Sequence, residues 1–76
     1  MTFCEVTFRY QHRLTEKQLT ALEALRGQLY GLHRFHVDDS QNLIRVEYDA
    51  SRVTVKDVEA ALRGAGVAVV EQVVAA

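Results

Sequence analysis

Apolar residues recur at every second position in two stretches of this chain, a pattern typical of strands that bury one face. In residues 3–10 the phase predicted to face inward is Cys4, Val6, Phe8 and Tyr10. In residues 43–49 it is Ile44, Val46 and Tyr48. Residues 32–38 form a further strand, with Phe35 and Val37 inward. Residues 67–74 form a last strand, in which valines occupy both phases.

Between these strands, two stretches begin with the signals of a capped helix. Thr15 stands three residues before Gln18, and Thr54 stands three residues before Asp57. Each threonine therefore predicts an N-cap that forms a capping box with the residue three positions on. Apolar residues flank both caps at the spacing of a hydrophobic staple: Leu14 with Leu19, and Val53 with Val58.

Both predicted helices carry an apolar stripe at helical period. In the first helix the residues predicted to be buried are Leu19, Leu22, Leu25 and Leu29. In the second helix they are Val55, Val58, Leu62 and Ala65. Segments 13–19 and 52–58 match in residue type at nearly every place, so the chain is a tandem of two similar halves.

The element order is therefore βαββαβ, with a hairpin that joins two βα halves. Right-handed crossovers predict an α+β, ferredoxin-like sandwich, whose antiparallel sheet has the strand order 4-1-3-2 and carries both helices on one face. The other face of the sheet stays open to solvent or to a partner. We predict a single domain, residues 1–76.

Composition narrows the classes of function. The 76 residues are 49% hydrophobic, which is enough for one core, and the net charge of −1 does not favour nucleic acid or an anionic membrane. One cysteine excludes an intrachain disulfide, so a cytoplasmic location is expected. No apolar run approaches the ~20 residues that span a bilayer. We expect a whole small protein, while a domain excised from a longer chain stays open.

Residues 44–66 resemble the heavy-metal-associated domain, the family of copper chaperones and of the N-terminal modules of metal-pumping ATPases. The resemblance is carried by an apolar strand ending in Tyr48-Asp49, by the capped helix after it, and by Ala65-Gly66 before the last strand. Gly31 also matches the opening of that family's second strand. The resemblance covers most of the chain and implies the ferredoxin-like fold and a metal-handling ancestry.

The family's metal motif, Cys-x-x-Cys at the start of the first helix, is missing. Counting back from Gly31, the two cysteine positions hold Thr15 and Gln18. Neither side chain forms a thiolate, the ligand that holds a soft monovalent ion tightly. The resemblance therefore carries over no metal ligands, and we predict no cofactor.

Other candidate ligands are the histidines and the single cysteine. His12 occupies the loop that carries the metal in the family, and it is our candidate for weak binding of Zn, Ni or Cu. His33 and His36, three residues apart in a strand, should lie on opposite faces, with His33 inward. A zinc pair of Cys4 and His33 would lack a third and a fourth ligand, so Cys4 is better interpreted as a small buried hydrophobe.

The predicted open face argues against RNA binding. Its two central strands offer Phe3 as the one outward aromatic residue, and Glu5 and Glu47 are acidic. Glycine-rich phosphate loops and Ser/His/Asp sets are absent from the sequence, so we predict that the protein is not an enzyme.

We predict a protein-interaction or regulatory module that lacks the cysteine metal site, with metal binding or transport as the alternative. The expected partner is another protein or a second copy. Such a homodimer would form through the last strand, an edge with unpaired backbone groups, or through the open face. The predicted interface residues are Phe3, Leu43, Val70 and Val73. Along the last strand, Val67, Val69 and Val73 occupy one phase, and Val70 and Val74 occupy the other.

Overall fold

The computed structural model describes residues 2–73, and all six predicted elements are present. They are β1 (Phe3–Tyr10), α1 (Glu16–Gln28), β2 (Leu32–Asp38), β3 (Leu43–Asp49), α2 (Val55–Gly64) and β4 (Val69–Val73). The last strand begins two residues later than the sequence pattern indicates. Val74, the last residue of the predicted strand, lies outside the described residues. No helix within residues 2–73 is long and apolar enough to cross a bilayer.

The four strands form one antiparallel sheet in the order β2-β3-β1-β4, which confirms the predicted ferredoxin-like topology. In the central pair, Phe3 lies opposite Asp49, Val6 opposite Val46, and Arg9 opposite Leu43. This register places the inward phases of both strands on the same face, against the helices.

The core lies between that face and the two helices. Its buried side chains are Val6, Phe8, Tyr10, Leu14, Leu22, Leu32, Ile44, Val46, Tyr48, Val53, Val58, Leu62 and Val67. The prediction for Leu19 is wrong, because its side chain is 39% exposed. Leu14, in the loop before α1, is buried in the core, and the buried stripe of the helix starts only at Leu22.

Both predicted capping boxes form. The backbone N–H of Gln18 donates to the Thr15 hydroxyl at 3.3 Å, and the Thr15 N–H donates to the Gln18 side-chain oxygen at 2.8 Å. At α2 the same two bonds join Thr54 and Asp57, at 3.2 and 2.9 Å. Four backbone N–H groups that a helix start would leave unsatisfied are thus paired.

Two β-bulges change which way residues face, and the sequence pattern did not reveal them. In β2, Leu32 pairs with Tyr48 and Arg34 with Glu47, which leaves His33 as an extra residue. In β4 the register against β1 shifts between Val69 and Glu71, which leaves Val70 as the extra residue. After each bulge, the alternation of inward and outward side chains is reset.

Candidate functional site

The loop end of the domain, where β1 runs into α1, is closed by the side chain of Gln18. Besides accepting the Thr15 N–H, this amide donates from Nε2 to the carbonyl oxygen of Gly66 at 2.7 Å. Close by, the N–H of Gln11 donates to the carbonyl oxygen of Ala68 at 2.9 Å. The β1–α1 loop and the α2–β4 loop are therefore joined by hydrogen bonds.

Gly66 is suited to receive this contact because of its backbone conformation. Its φ of 92° lies in the left-handed region and ends α2, where the N–H groups of Gly66 and Val67 return to the carbonyls of Arg63 and Leu62. A Cβ added at Gly66 would meet the Gln18 side chain at 3.4 Å. The backbone at the end of α2 therefore packs closely against the side-chain amide of Gln18.

These residues do not fit a soft metal ion. Thr15 and Gln18 offer only oxygen and nitrogen atoms, and those atoms are already used to pair backbone groups. His12 is exposed in the same loop. Within residues 2–73, no group of three or more His, Cys, Asp or Glu side chains could hold a metal ion.

The predictions for His33 are wrong, and the bulge in β2 is the reason. The His33 ring lies 5.0 Å from the ring of Phe3, centroid to centroid, on the open face of the sheet. Cys4 is half-buried and packs against the core on the other face, so Cys4 and His33 cannot form a ligand pair. His36 pairs with the outward residue Arg45, so both histidines lie on the open face rather than on opposite faces.

The open face is dominated by ion pairs between neighbouring strands. Within residues 2–73 the three pairs are Arg9 with Glu71 at 3.1 Å, Arg45 with Glu5 at 3.2 Å, and Arg34 with Glu47 at 3.8 Å. The arginine of each pair is solvent-exposed, so each pair contributes at most about 1 kcal/mol to stability. Their main effect is to cover the open face with paired charge.

This charge separates two of the predicted interface residues. Phe3 and Leu43 lie at opposite ends of the paired strands β1 and β3, six residues apart along β1, which is roughly 20 Å. The Glu5–Arg45 ion pair lies between them. Phe3 and Leu43 therefore do not form one apolar patch.

The edge strand β4 brings the other two predicted residues together. Val73 pairs with the outward residue Thr7 and so faces the open side, and the expectation that it shares the phase of Val69 is wrong because the bulge intervenes. Val70, at the bulge, is 47% exposed. Between them, Glu71 is paired with Arg9. The β4 edge therefore presents two valine side chains, with the ion pair of Glu71 and Arg9 between them.

A cleft of about 520 Å³ opens at the end of the sheet opposite the Gln18 loop. The C-terminal turn of α1, the start of β2, Phe3, Asp49 and Arg52 line it. The Arg52 guanidinium lies over the Tyr30 ring, 4.2 Å from its centroid, a cation–π geometry. No local pattern in the sequence predicts this cleft, because Tyr30 and Arg52 are distant in the chain and Phe3 belongs to another strand.

Asp49 anchors the rim of this cleft. Its Oδ1 accepts from the Ser51 hydroxyl at 2.6 Å, from the Ser51 N–H at 3.0 Å and from the Thr2 N–H at 3.2 Å. Its Oδ2 lies 3.5 Å from Nε of Arg52. The hydrogen bond from the Ser51 hydroxyl, with those from backbone N–H groups, holds the pKa of Asp49 below its ordinary value, against an opposing effect of burial.

Comparison with known structures identifies the fold. Apo-CopP from Helicobacter pylori is 25% identical, with 88% of this chain and 100% of that chain covered and a TM-score of 0.73. A protein from Bacillus anthracis described as copper-ion-binding is 23% identical, with 91% and 97% covered and a TM-score of 0.73. The HMA domain of a copper chaperone for superoxide dismutase is 22% identical, with 91% and 66% covered and a TM-score of 0.61.

The chain has the fold of the heavy-metal-associated domains, as its sequence resemblance implied. It has a single cysteine, Cys4, and so lacks the cysteine pair of that family. No family model matches the sequence, and no curated protein matches it.

Proposed function

We propose that this protein is a non-enzymatic module of heavy-metal-associated type that has lost its soft-metal site and works through protein contacts in the cytoplasm. The observation that carries the proposal is the Gln18 side chain, which bonds to Thr15 and to Gly66 where the family carries its metal loop. The polar side-chain atoms of Thr15 and Gln18 already form hydrogen bonds with backbone groups. A fold that keeps its shape without the ion can still present its open face and its edge strand to a partner.

The contact surface that we propose is the edge of β4, used to form a homodimer. Val73 faces the open side and Val70 is exposed, and within residues 2–73 β4 pairs with β1 alone. An isologous dimer would pair β4 with its own copy across a twofold axis. Phe3 and Leu43 would enter such an interface only if the two open faces also packed together, because they lie far apart.

The alternative is weak metal handling through His12. Two observations favour it: His12 is exposed in the β1–α1 loop, and one of the similar structures is described as copper-ion-binding. Against it stands the absence, among the described residues, of any group of three or more His, Cys, Asp or Glu side chains that could hold a metal ion. Zinc and copper sites in proteins take several side-chain ligands, so one imidazole binds these ions only weakly.

A competition titration of the reduced protein against a chelator of monovalent copper tests the proposal. We expect no stoichiometric uptake by the wild-type protein. The double variant Thr15→Cys, Gln18→Cys is the positive control, since it restores two thiolate ligands at the family's positions and should take up the ion. Tight uptake by the wild type would overturn the proposal, and its loss in His12→Ala would establish the alternative.

A further inference from the structure

We propose that the cleft at the Phe3 end of the domain docks an acidic segment of a partner protein, a segment that carries an aromatic or aliphatic side chain beside its carboxylates. This inference rests on the proposed function in one respect, that the partner is a protein. It concerns a surface separate from the β4 edge and from the Gln18 loop.

Exposed aromatic rings are concentrated at this cleft. Tyr30 is 71% exposed and Phe3 is 55% exposed, and these are the two most exposed large hydrophobic residues within residues 2–73. Both line the same cleft. Aromatic residues are enriched in protein interfaces, and exposed apolar clusters of this kind mark docking sites.

Each ring is also held in place before any partner arrives. Phe3 contacts the His33 ring at 5.0 Å, and Tyr30 lies beneath the Arg52 guanidinium at 4.2 Å. Ordering these side chains on binding therefore costs less entropy than it would for free rotamers. Gly31 lets the chain pack closely at this point, because a Cβ there would meet the Cβ of Arg52 and Cγ1 of Val53, each at 3.2 Å.

The cleft is also lined by charged side chains, most of them positive. Its lining holds two arginines, Arg26 and Arg52, and one carboxylate, Asp49. Asp49 is buried, and its Oδ1 already accepts three hydrogen bonds. The lining therefore carries one more positive than negative charge, which favours an anionic ligand.

Both guanidinium groups can donate hydrogen bonds to a new partner. Arg52 touches Asp49 through Nε at 3.5 Å, and within residues 2–73 its terminal amino groups have no hydrogen-bonded acceptor. Arg26 pairs with Glu23 at 3.4 Å, on the surface, where such pairs are weak and easily exchanged. A carboxylate entering the cleft would gain bidentate contacts without leaving a buried charge unpaired.

A second copy of this chain is a poorer occupant than another protein. Nine of its carboxylates already have partners, six of them in ion pairs and three more in hydrogen bonds. Those in ion pairs are Glu5, Glu23, Glu47, Asp49, Glu59 and Glu71, and those in hydrogen bonds are Asp38, Asp39 and Asp57. Only Glu16 has no such partner among the described residues.

The test is an NMR titration of the full chain with a blocked pentapeptide of sequence Asp-Glu-Trp-Asp-Glu. We expect amide shifts at residues 26–33 and 49–52. Arg52→Gln should weaken binding about tenfold, as expected for loss of an interface arginine. Tyr30→Ala, an exposed position that leaves the Asp49–Arg52 contact intact, should weaken it similarly. Arg63→Gln, an exposed arginine on α2 outside the cleft, is the matched control and should bind as the wild type does.

Two further peptides test the chemistry of the occupant. Replacing the acidic residues by lysine, or the tryptophan by alanine, should abolish the shifts in the cleft. Absence of binding, shifts elsewhere, or equal binding by Arg52→Gln and Tyr30→Ala would overturn the proposal. Shifts at residues 26–33 and 49–52 that arise from raising the protein concentration alone would make a second copy the occupant of the cleft and overturn the proposal as well, whereas the dimer proposed above should shift residues of β4. None of these results depends on copper uptake, so the two proposals fail separately.

Discussion

Nε2 of Gln18 lies 2.7 Å from the carbonyl oxygen of Gly66, and this hydrogen bond joins the first turn of α1 to the residue that ends α2. The two residues are 48 positions apart in the chain. The same side chain completes the capping box of α1 through its oxygen. One amide thus joins two loops at the end of the domain where the family holds its metal.

This double role predicts how substitutions at Gln18 act. Gln18→Ala removes both bonds and should lower the free energy of unfolding by about 1–2 kcal/mol. Gln18→Glu keeps the acceptor that the capping box needs but places a carboxylate against the Gly66 carbonyl, so it should also destabilise the protein. Urea denaturation checks both. If Gln18→Glu left the free energy of unfolding unchanged, the bond to Gly66 would contribute nothing to stability.

The two N-caps allow a matched comparison. Thr54→Ala removes the acceptor for the Asp57 N–H and should cost about 1 kcal/mol of stability. Thr15→Ala should cost a similar amount, because its hydroxyl has the same role at α1. Thr54→Ser and Thr15→Ser keep the acceptor and serve as controls. Denaturant midpoints that do not move in the alanine variants would contradict the assigned caps.

Asp49 should make stability depend on acid pH. Its pKa is lowered in the folded protein, chiefly by the Ser51 hydroxyl, so its contribution is present above the ordinary pKa of 3.8 and is lost as the pH falls through the folded value. The wild type should therefore lose stability below about pH 4. Asp49→Asn should be less stable at neutral pH, because it lacks the charge that faces Arg52.

The measurement is a series of urea denaturation curves from neutral to acid pH. The stability of Asp49→Asn should fall less steeply with acid than that of the wild type. Asp38 also has a lowered pKa, through the Ser40 hydroxyl, and titrates in the same window. Asp38→Asn is therefore a necessary comparison, and the buried Asp49 should account for the larger change in slope. Parallel curves for wild type and Asp49→Asn would show that the carboxylate is not linked to folding.

The proposed dimer predicts a mass that rises with concentration. Light scattering at tens of micromolar should report a dimer. Val73→Lys and Val70→Lys should both dissociate it, since Val73 faces the open side and Val70 is exposed. Thr20→Lys, an exposed change on α1, is the control and should not alter the mass. A monomer mass at every soluble concentration would exclude the dimer.

Local rules within the sequence were sufficient for the elements and their order. The alternation in β1 and β3, the two capping boxes and the tandem halves all reflect interactions between residues close in the chain. Because βαββαβ connectivity allows few topologies, the strand order followed from the elements. The resemblance carried by Tyr48-Asp49 and Ala65-Gly66 pointed to the same fold.

The sequence by itself therefore determined the fold and the absence of the cysteine pair. Only the tertiary structure decided where His33 and Val73 face, because a bulge depends on how two strands are paired and leaves no periodic signal in one strand. It also decided the bond from Gln18 to Gly66 and the contact between Tyr30 and Arg52. These pairs are distant in the chain, and residues far apart in sequence meet only once the sheet and helices have packed.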